Sequence, residues 1–192
     1  EINAHPYEGS LTVIIKDITK LKIQQLNLKL RNEILGMTFS SKFKLKNVID
    51  HLLRGIEHIY PDMVCSVLTL NSSSSQANLS LPELPAHLVT DFDASILGTD
   101  AAEWAKSVSL SSQKTVTLND TSINPYWAIY KDMALSFGLF AYWSFPITSS
   151  KGEVLAIFEV CCRSQKEPTH DEKKAISNII TILRILIEYN LD

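Results

Sequence analysis

The sequence predicts an α+β fold in which helices cover both faces of a central antiparallel sheet. Residues 139–163, LFAYWSFPITSSKGEVLAIFEVCCR, hold two long apolar runs around the polar turn Ser149-Ser150-Lys151-Gly152, which reads as a hairpin. The second run has Val154, Ala156, Phe158 and Val160 on one face and Leu155 and Ile157 on the other. A strand apolar on both faces needs cover on both, so it belongs near the middle of a sheet. The segments on either side carry apolar residues at helical spacing and supply that cover.

Composition narrows the class. A chain of 192 residues with 45% hydrophobic content builds one core, not two full domains. No run reaches the roughly 20 apolar residues of a membrane span, and no secretory signal opens the chain. We therefore expect a soluble, cytoplasmic piece with no membrane partner. Glu1 at the start, and an apolar helix just before Asp192, suggest a segment excised from a longer protein. The net charge of −3, with both signs mixed along the chain, argues against a nucleic-acid partner. Cys65, Cys161 and Cys162 fall inside apolar strand patterns without metal-ligand spacing. They read as small reduced core residues, and no metal site is expected.

In chain order, LTVIIKDI over 11–18 is a β-branched strand entered through Tyr7-Glu8-Gly9, a strand without a domain of its own. Asp17 or Thr19 can cap the helix that follows. Ile23, Leu26, Leu30, Ile34 and Met37 hold one face of that helix, and Leu21, Leu28 and Leu35 add a second apolar line. Gly, Thr and Ser at 36–41 predict a break. A second helix, over 42–60, carries Leu45, Val48, Ile49, Leu52, Leu53, Ile56 and Ile59 and ends at Tyr60-Pro61. Its His51 and His58 lie about 10 Å apart along the axis, too far to share a metal.

Strands follow at 63–70 and, more weakly, 77–81, joined by a serine-rich loop that lacks the glycines and lysine of a phosphate cradle. Helices are predicted over 86–92 and 99–110, the latter holding Ala102, Trp104, Ala105 and Val108. A short strand covers 115–118, and Asn119-Asp120-Thr121 turns into a helix entered near Pro125 and closed by Gly138. In the first hairpin strand Trp143, Phe145 and Ile147 face one way and Tyr142, Ser144 and Pro146 the other. Pro146 donates no ladder bond, which places it late in its strand or beside an edge. The last helix, after Pro168, is apolar nearly all round from Ile179, more than one domain can cover.

Two resemblances emerge from these residues. IIKDITKLK, with Asp17, Ile18 and Thr19 followed by Lys20 and Lys22, resembles the end of a PAS sensory domain running into a signalling helix. An ordinary capped helix after a strand has the same letters. Asp120, Pro125, Trp127, Tyr130, Gly138, Leu139, Trp143, Ser144, Pro146, Ile147, Gly152, Pro168 and Thr169 resemble the GAF domains of bacterial multidomain signalling proteins. Where relatives often carry Gly-Ser-Cys-Gly-Thr-Ala, this chain has Ile96-Leu97-Gly98-Thr99-Asp100-Ala101-Ala102, without the cysteine.

The resemblance implies a GAF-like antiparallel sheet of about five or six strands, with the first and last helices on one face and pocket-forming helices on the other. It divides the chain into a PAS remnant over 1–18, a linker helix over 19–40 and a GAF domain over 41–192. It implies a sensory, non-catalytic module that binds a small ligand or relays a signal to an attached cyclic-dinucleotide cyclase, phosphodiesterase or histidine kinase. Trp104, Trp127, Tyr130, Tyr142 and Ser144 are the candidate ligand-binding residues; the same aromatics would serve equally to fill the cavity. The ligand's identity and any cofactor stay open. Excess apolar surface on the helices at 42–60 and 171–189 suggests a parallel homodimer. The competing class is a cysteine-dependent enzyme resembling the free methionine sulfoxide reductases. Against it, Cys65 and Cys161 sit mid-strand among apolar residues, where thiols are unreactive.

Overall fold

The computed structural model describes residues 1–8, 10–40, 43–70, 77–80, 82, 114–121, 135 and 137–190. Strands β3 (Met63–Leu70), β4 (Ala77–Ser80), β5 (Val116–Leu118), β6 (Ala141–Thr148) and β7 (Val154–Cys162) form an antiparallel sheet in the order β4-β3-β7-β6-β5. The doubly apolar strand, β7, lies at its centre. The predicted strands are present, and the helices predicted over 86–92, 99–110 and most of 125–138 lie outside the described residues.

Alternation divides the sheet into two faces. Cys65, Val67, Trp143, Phe145, Ile147, Ala156, Phe158, Val160 and Cys162 join one core cluster with the helices, and Phe145 stacks on its register partner Phe158 at 6.2 Å. Val64, Leu68 and Ile157 are buried on the far face. Leu155 departs from the expected side. Ile147 pairs with Ala156 and Thr148 with Val154, so Leu155 sits in a bulge, the alternation breaks, and its side chain joins the helix-side cluster. The turn closes through Gly152 at φ 85° and its N–H to the Ser149 carbonyl, 3.1 Å. Pro146 lies beyond the end of β5, whose last pair is Val116 with Ser144, so its missing N–H leaves no ladder bond unmade on that side.

The helical layer consists of α1 (Thr19–Thr38), α2 (Leu45–Ile59) and α3 (His170–Glu188). Asp17 accepts the Thr19 N–H at 2.9 Å, as its capping position predicts. The break expected at 36–41 begins later, because Gly36 stays inside α1: a single glycine costs a helix only about 1 kcal/mol. Leu30 and Ile34 of α1 pack on α2, whose Val48, Ile49, Leu52, Leu53, Ile56 and Ile59 are all buried. Glu57 of α2 accepts the Cys65 N–H at 2.8 Å, where β3 has run past the end of β4. The 11–18 strand is not alone: β2 (Ser10–Ile15) pairs antiparallel with β1 (Ile2–Tyr7), from Ile2 opposite Ile15 to Tyr7 opposite Ser10. The sequence hid β1, because EINAHPY has no clear alternation and contains Pro6.

Electrostatic ties hold α3 to the sheet. Thr169 and Glu172 form a reciprocal capping box at its start. Lys166 bridges Glu172 at 2.9 Å and Asp62 at 2.8 Å, and its ammonium lies 5.7 Å from the Trp143 ring centroid. Burial raises both carboxyls, but hydrogen bonds outweigh it, leaving Asp62 and Glu172 below their ordinary range. At the other end Glu188 accepts the Ser150 N–H at 2.5 Å, joining the hairpin tip to α3.

Gly55 of α2 lies close against Leu30 of α1. A Cβ there would lie 2.3 and 2.7 Å from the Leu30 methyl carbons. Overpacking of this kind costs about 1–3 kcal/mol, against about 1 kcal/mol of helix propensity gained. Gly55→Ala should therefore lower the urea midpoint of unfolding, whereas the same change in a Leu30→Ala background should raise it. A single variant at least as stable as the parent would mean that α1 does not seat against α2 as described.

Candidate functional site

Among the described residues, a row of polar side chains crosses the middle of the largely apolar far face of the sheet. Three strands supply it. Ser66 of β3 and Ser144 of β6 both stand opposite Glu159 of β7 in the strand register, and Tyr142 lies one diagonal step along β6. The Ser66 hydroxyl donates to Glu159 Oε2 at 2.9 Å, and the Tyr142 hydroxyl donates to Glu159 Oε1 at 2.5 Å. Ser144 is hydrogen-bonded to Tyr142 in turn. Ser66, Tyr142 and Ser144 are buried, while Glu159 is enclosed on most sides but keeps part of its surface accessible.

Burial dominates the electrostatics of this row. It raises the Glu159 carboxyl above its ordinary value, although the hydrogen bonds from Tyr142 and Ser66 pull the other way. Burial and the neighbouring Glu159 charge push the Tyr142 phenol well up, so it stays a donor. Cys161, two residues along the same face, is raised by burial and by Glu159. On the helix face burial lifts Cys65 well above the usual thiol range and Cys162 to about 12, despite Lys166 near the latter. All three thiols are therefore protonated at neutral pH, the reverse of the electropositive setting that a nucleophilic cysteine needs.

Of the five residues singled out in the sequence, Tyr142 and Ser144 stand together in this row. Trp104, Trp127 and Tyr130 lie outside the described residues. Glu159 and Ser66 were missed, although a lone acid in the apolar run VLAIFEVCC was a legible signal. Asp120 is a turn residue: it accepts from Gln165 Nε2 at 3.0 Å, while the adjacent Thr121 N–H bonds the Phe140 carbonyl at 2.8 Å. His51 meets Glu33 at 3.1 Å across the α1–α2 contact. Among the described residues no cluster of three or more His, Cys, Asp or Glu is placed to hold a metal, and no helix is long and apolar enough to cross a membrane.

No family model matches the chain. It is similar to the methyl sulfide methyltransferase-associated sensor of Methanosarcina acetivorans, 26% identical over 187 residues, covering 95% of this chain and 18% of that protein. The chain thus spans under a fifth of that relative's length. Among solved structures it is similar to the GAF domain of a phosphoenolpyruvate-protein phosphotransferase from Coxiella burnetii, with TM-score 0.63 and 13% identity over 88% of this chain and 94% of the other. A GAF domain/HD domain protein from Geobacter sulfurreducens follows at TM-score 0.57 and 15% identity, covering 78% and 96%. The phycoerythrobilin-bound GAF domain of a cyanobacterial phytochrome gives 0.52 and 10%, covering 88% and 95%. These likenesses are of fold, and the fold is that of GAF domains.

Because the folded-state value of Glu159 is raised, its carboxyl favours the native state at pH below its ordinary 4.5 and loses that advantage as pH rises through the folded value. Replacing it by Gln removes this dependence. Relative to the parent, Glu159→Gln should become progressively more stable as urea unfolding is measured from acid to neutral pH. A stability difference that stays constant across that range would show that Glu159 is not perturbed by burial.

Proposed function

We propose that the chain is a regulatory sensory module, in which the far face of the sheet takes a small ligand and the helical face relays its occupancy to neighbouring domains. The observation that carries this reading is the row Ser66–Glu159–Tyr142–Ser144, in which a partly buried carboxyl is held between buried hydroxyls. Burying a carboxyl in a sheet costs stability and serves no packing purpose, which makes it a candidate for recognition. The GAF fold, the similarity to a sensor and the chromophore-bound GAF neighbour support the reading. Within it, Trp104, Trp127 and Tyr130 would add aromatic walls around Tyr142 and Ser144. Residues 1–18 are the end of a PAS domain, 19–40 the signalling linker and 41–192 the GAF domain proper.

The module itself is not catalytic, in keeping with its three protonated thiols, and its unpaired cysteines suit the cytoplasm. Its output domain would be a cyclic-dinucleotide cyclase, a phosphodiesterase or a histidine kinase. The proposed homodimer runs through the helical face. The apolar side of α2 is buried within the chain, as are Ile176, Ile179, Leu183, Leu186 and Ile187 of α3. The surface they leave for a second copy is the line Leu21, Leu28 and Leu35 of α1, about half exposed at 50%, 59% and 47%, with Ile185 of α3. Spacing of seven residues is the seam of a coiled coil.

Two measurements test these parts separately. Thermal-shift screening of the full chain against a metabolite library should reveal compounds that raise Tm, with the shift reduced in Tyr142→Phe; a library that moves nothing ends the ligand reading. Sedimentation at tens of micromolar should show a dimer that Leu28→Glu dissociates while leaving helical content unchanged. A parent that sediments as a monomer rejects the dimer.

A further inference from the structure

We infer that the ligand of the far face carries a cationic, hydrogen-bond-donating group that pairs with the Glu159 carboxylate. This rests on the sensory reading and names the chemistry of its ligand. Glu159 is the charged residue of β7 and stands mid-sheet. The neighbours that bond it are neutral hydroxyls, and no lysine, arginine or histidine of the described residues acts on it. Lys166, a partly buried cation beside the sheet, lies over Trp143 on the opposite face and is committed to Asp62 and Glu172. Among the described residues the carboxylate thus has no counter-charge.

The direction of the hydrogen bonds defines what can bind. Ser66 and Tyr142 both spend their protons on Glu159. An ionised carboxyl accepts about four hydrogen bonds, so it retains capacity for further donors, and Glu159 is not fully enclosed among the described residues. An anion would meet like charge, and a neutral acceptor would find the hydroxyl protons already used. A protonated amine supplies both the missing charge and the missing donors.

The titratable groups of the described residues facing Glu159 are Tyr142 from β6 and Cys161 from β7, both protonated at neutral pH; β3 contributes Ser66. Ionisation of Glu159 therefore controls binding, and affinity for a cation should rise with pH through its titration.

Calorimetric titration of the full chain with phenethylamine, phenethyl alcohol and phenylacetate, matched in body and different in head group, tests the inference. The amine should bind about tenfold or more tightly than the alcohol, and phenylacetate least. Glu159→Gln should remove that preference. Tyr142→Phe keeps the charge but loses a bond favouring the ionised form, so it should move the pH midpoint of amine binding upward. Equal or tighter binding of the alcohol or phenylacetate, or an amine affinity unchanged by Glu159→Gln, overturns the inference and leaves the sensory reading standing. If the amine fails to bind while the metabolite library yields hits, the inference alone falls. If neither binds, both fall.

Discussion

Everything in this domain depends on β7 being the central strand of the sheet, largely buried on both faces. With β3 on one side and β6 on the other, its N–H and C=O groups are satisfied by ladders in both directions. Its side chains then need two different coverings. On one face Ala156, Phe158, Val160 and Cys162 pack with Leu52, Leu53, Ile56, Ile179 and Leu183 of the helices. This packing is continuous from α1 to β6, so the helical layer and the sheet form one core. On the other face Ile157 is fully buried, and two residues along the same face the apolar surface is interrupted by Glu159.

That interruption could not be read from periodicity. Hydrophobic pattern identifies which residues share a face, and it placed Tyr142 with Ser144, opposite Trp143 and Phe145, correctly. The polar row needs long-range register as well. Ser66 and Glu159 are 93 positions apart, and Tyr142 and Glu159 are 17 apart across the hairpin. Only the pairing of β3 with β7 brings the first two together. The elements read best were those with local rules: the hairpin turn ending in Gly152, the Asp17 cap, and the Pro-Thr entry to α3, which forms a capping box. The misreadings came where tertiary context overrode a local rule. Gly36 is carried inside α1, β1 pairs despite Pro6, and the bulge at Leu155 turns that side chain toward the helices.

The PAS-like string illustrates the same boundary between local and distant information. Its strand-to-helix junction is present: β2 ends at Ile15, Asp17 bonds the first amide of α1, and α1 runs on for 20 residues. The hairpin bearing it leaves Ile2, Leu11, Val13, Ile14 and Ile15 exposed. Five large apolar side chains on a two-stranded ribbon are not a stable arrangement in water by themselves.

The fold also constrains how occupancy at Glu159 can be felt by the helices. Glu159 shares its backbone with Phe158 and Val160, which point into the opposite core, so a shift of its side chain is delivered first to that packing. The β6–β7 hairpin is tied to α3 at both ends, by Lys166 between Asp62 and Glu172 near the start and by Ser150 with Glu188 near the finish. The start of α3 is tied in turn to the start of α1 through Lys20 and Asp171 at 3.0 Å. That last pair is exposed and contributes little energy on its own. The buried packing between the helices and the sheet must therefore carry any coupling of consequence. For a ligand to exert control it must bind two arrangements of that packing unequally, because equal affinity for both shifts nothing. A partly buried carboxylate is suited to supply such inequality: the free energy of a desolvated charge changes steeply when a counter-ion arrives, whereas apolar contacts change by small increments.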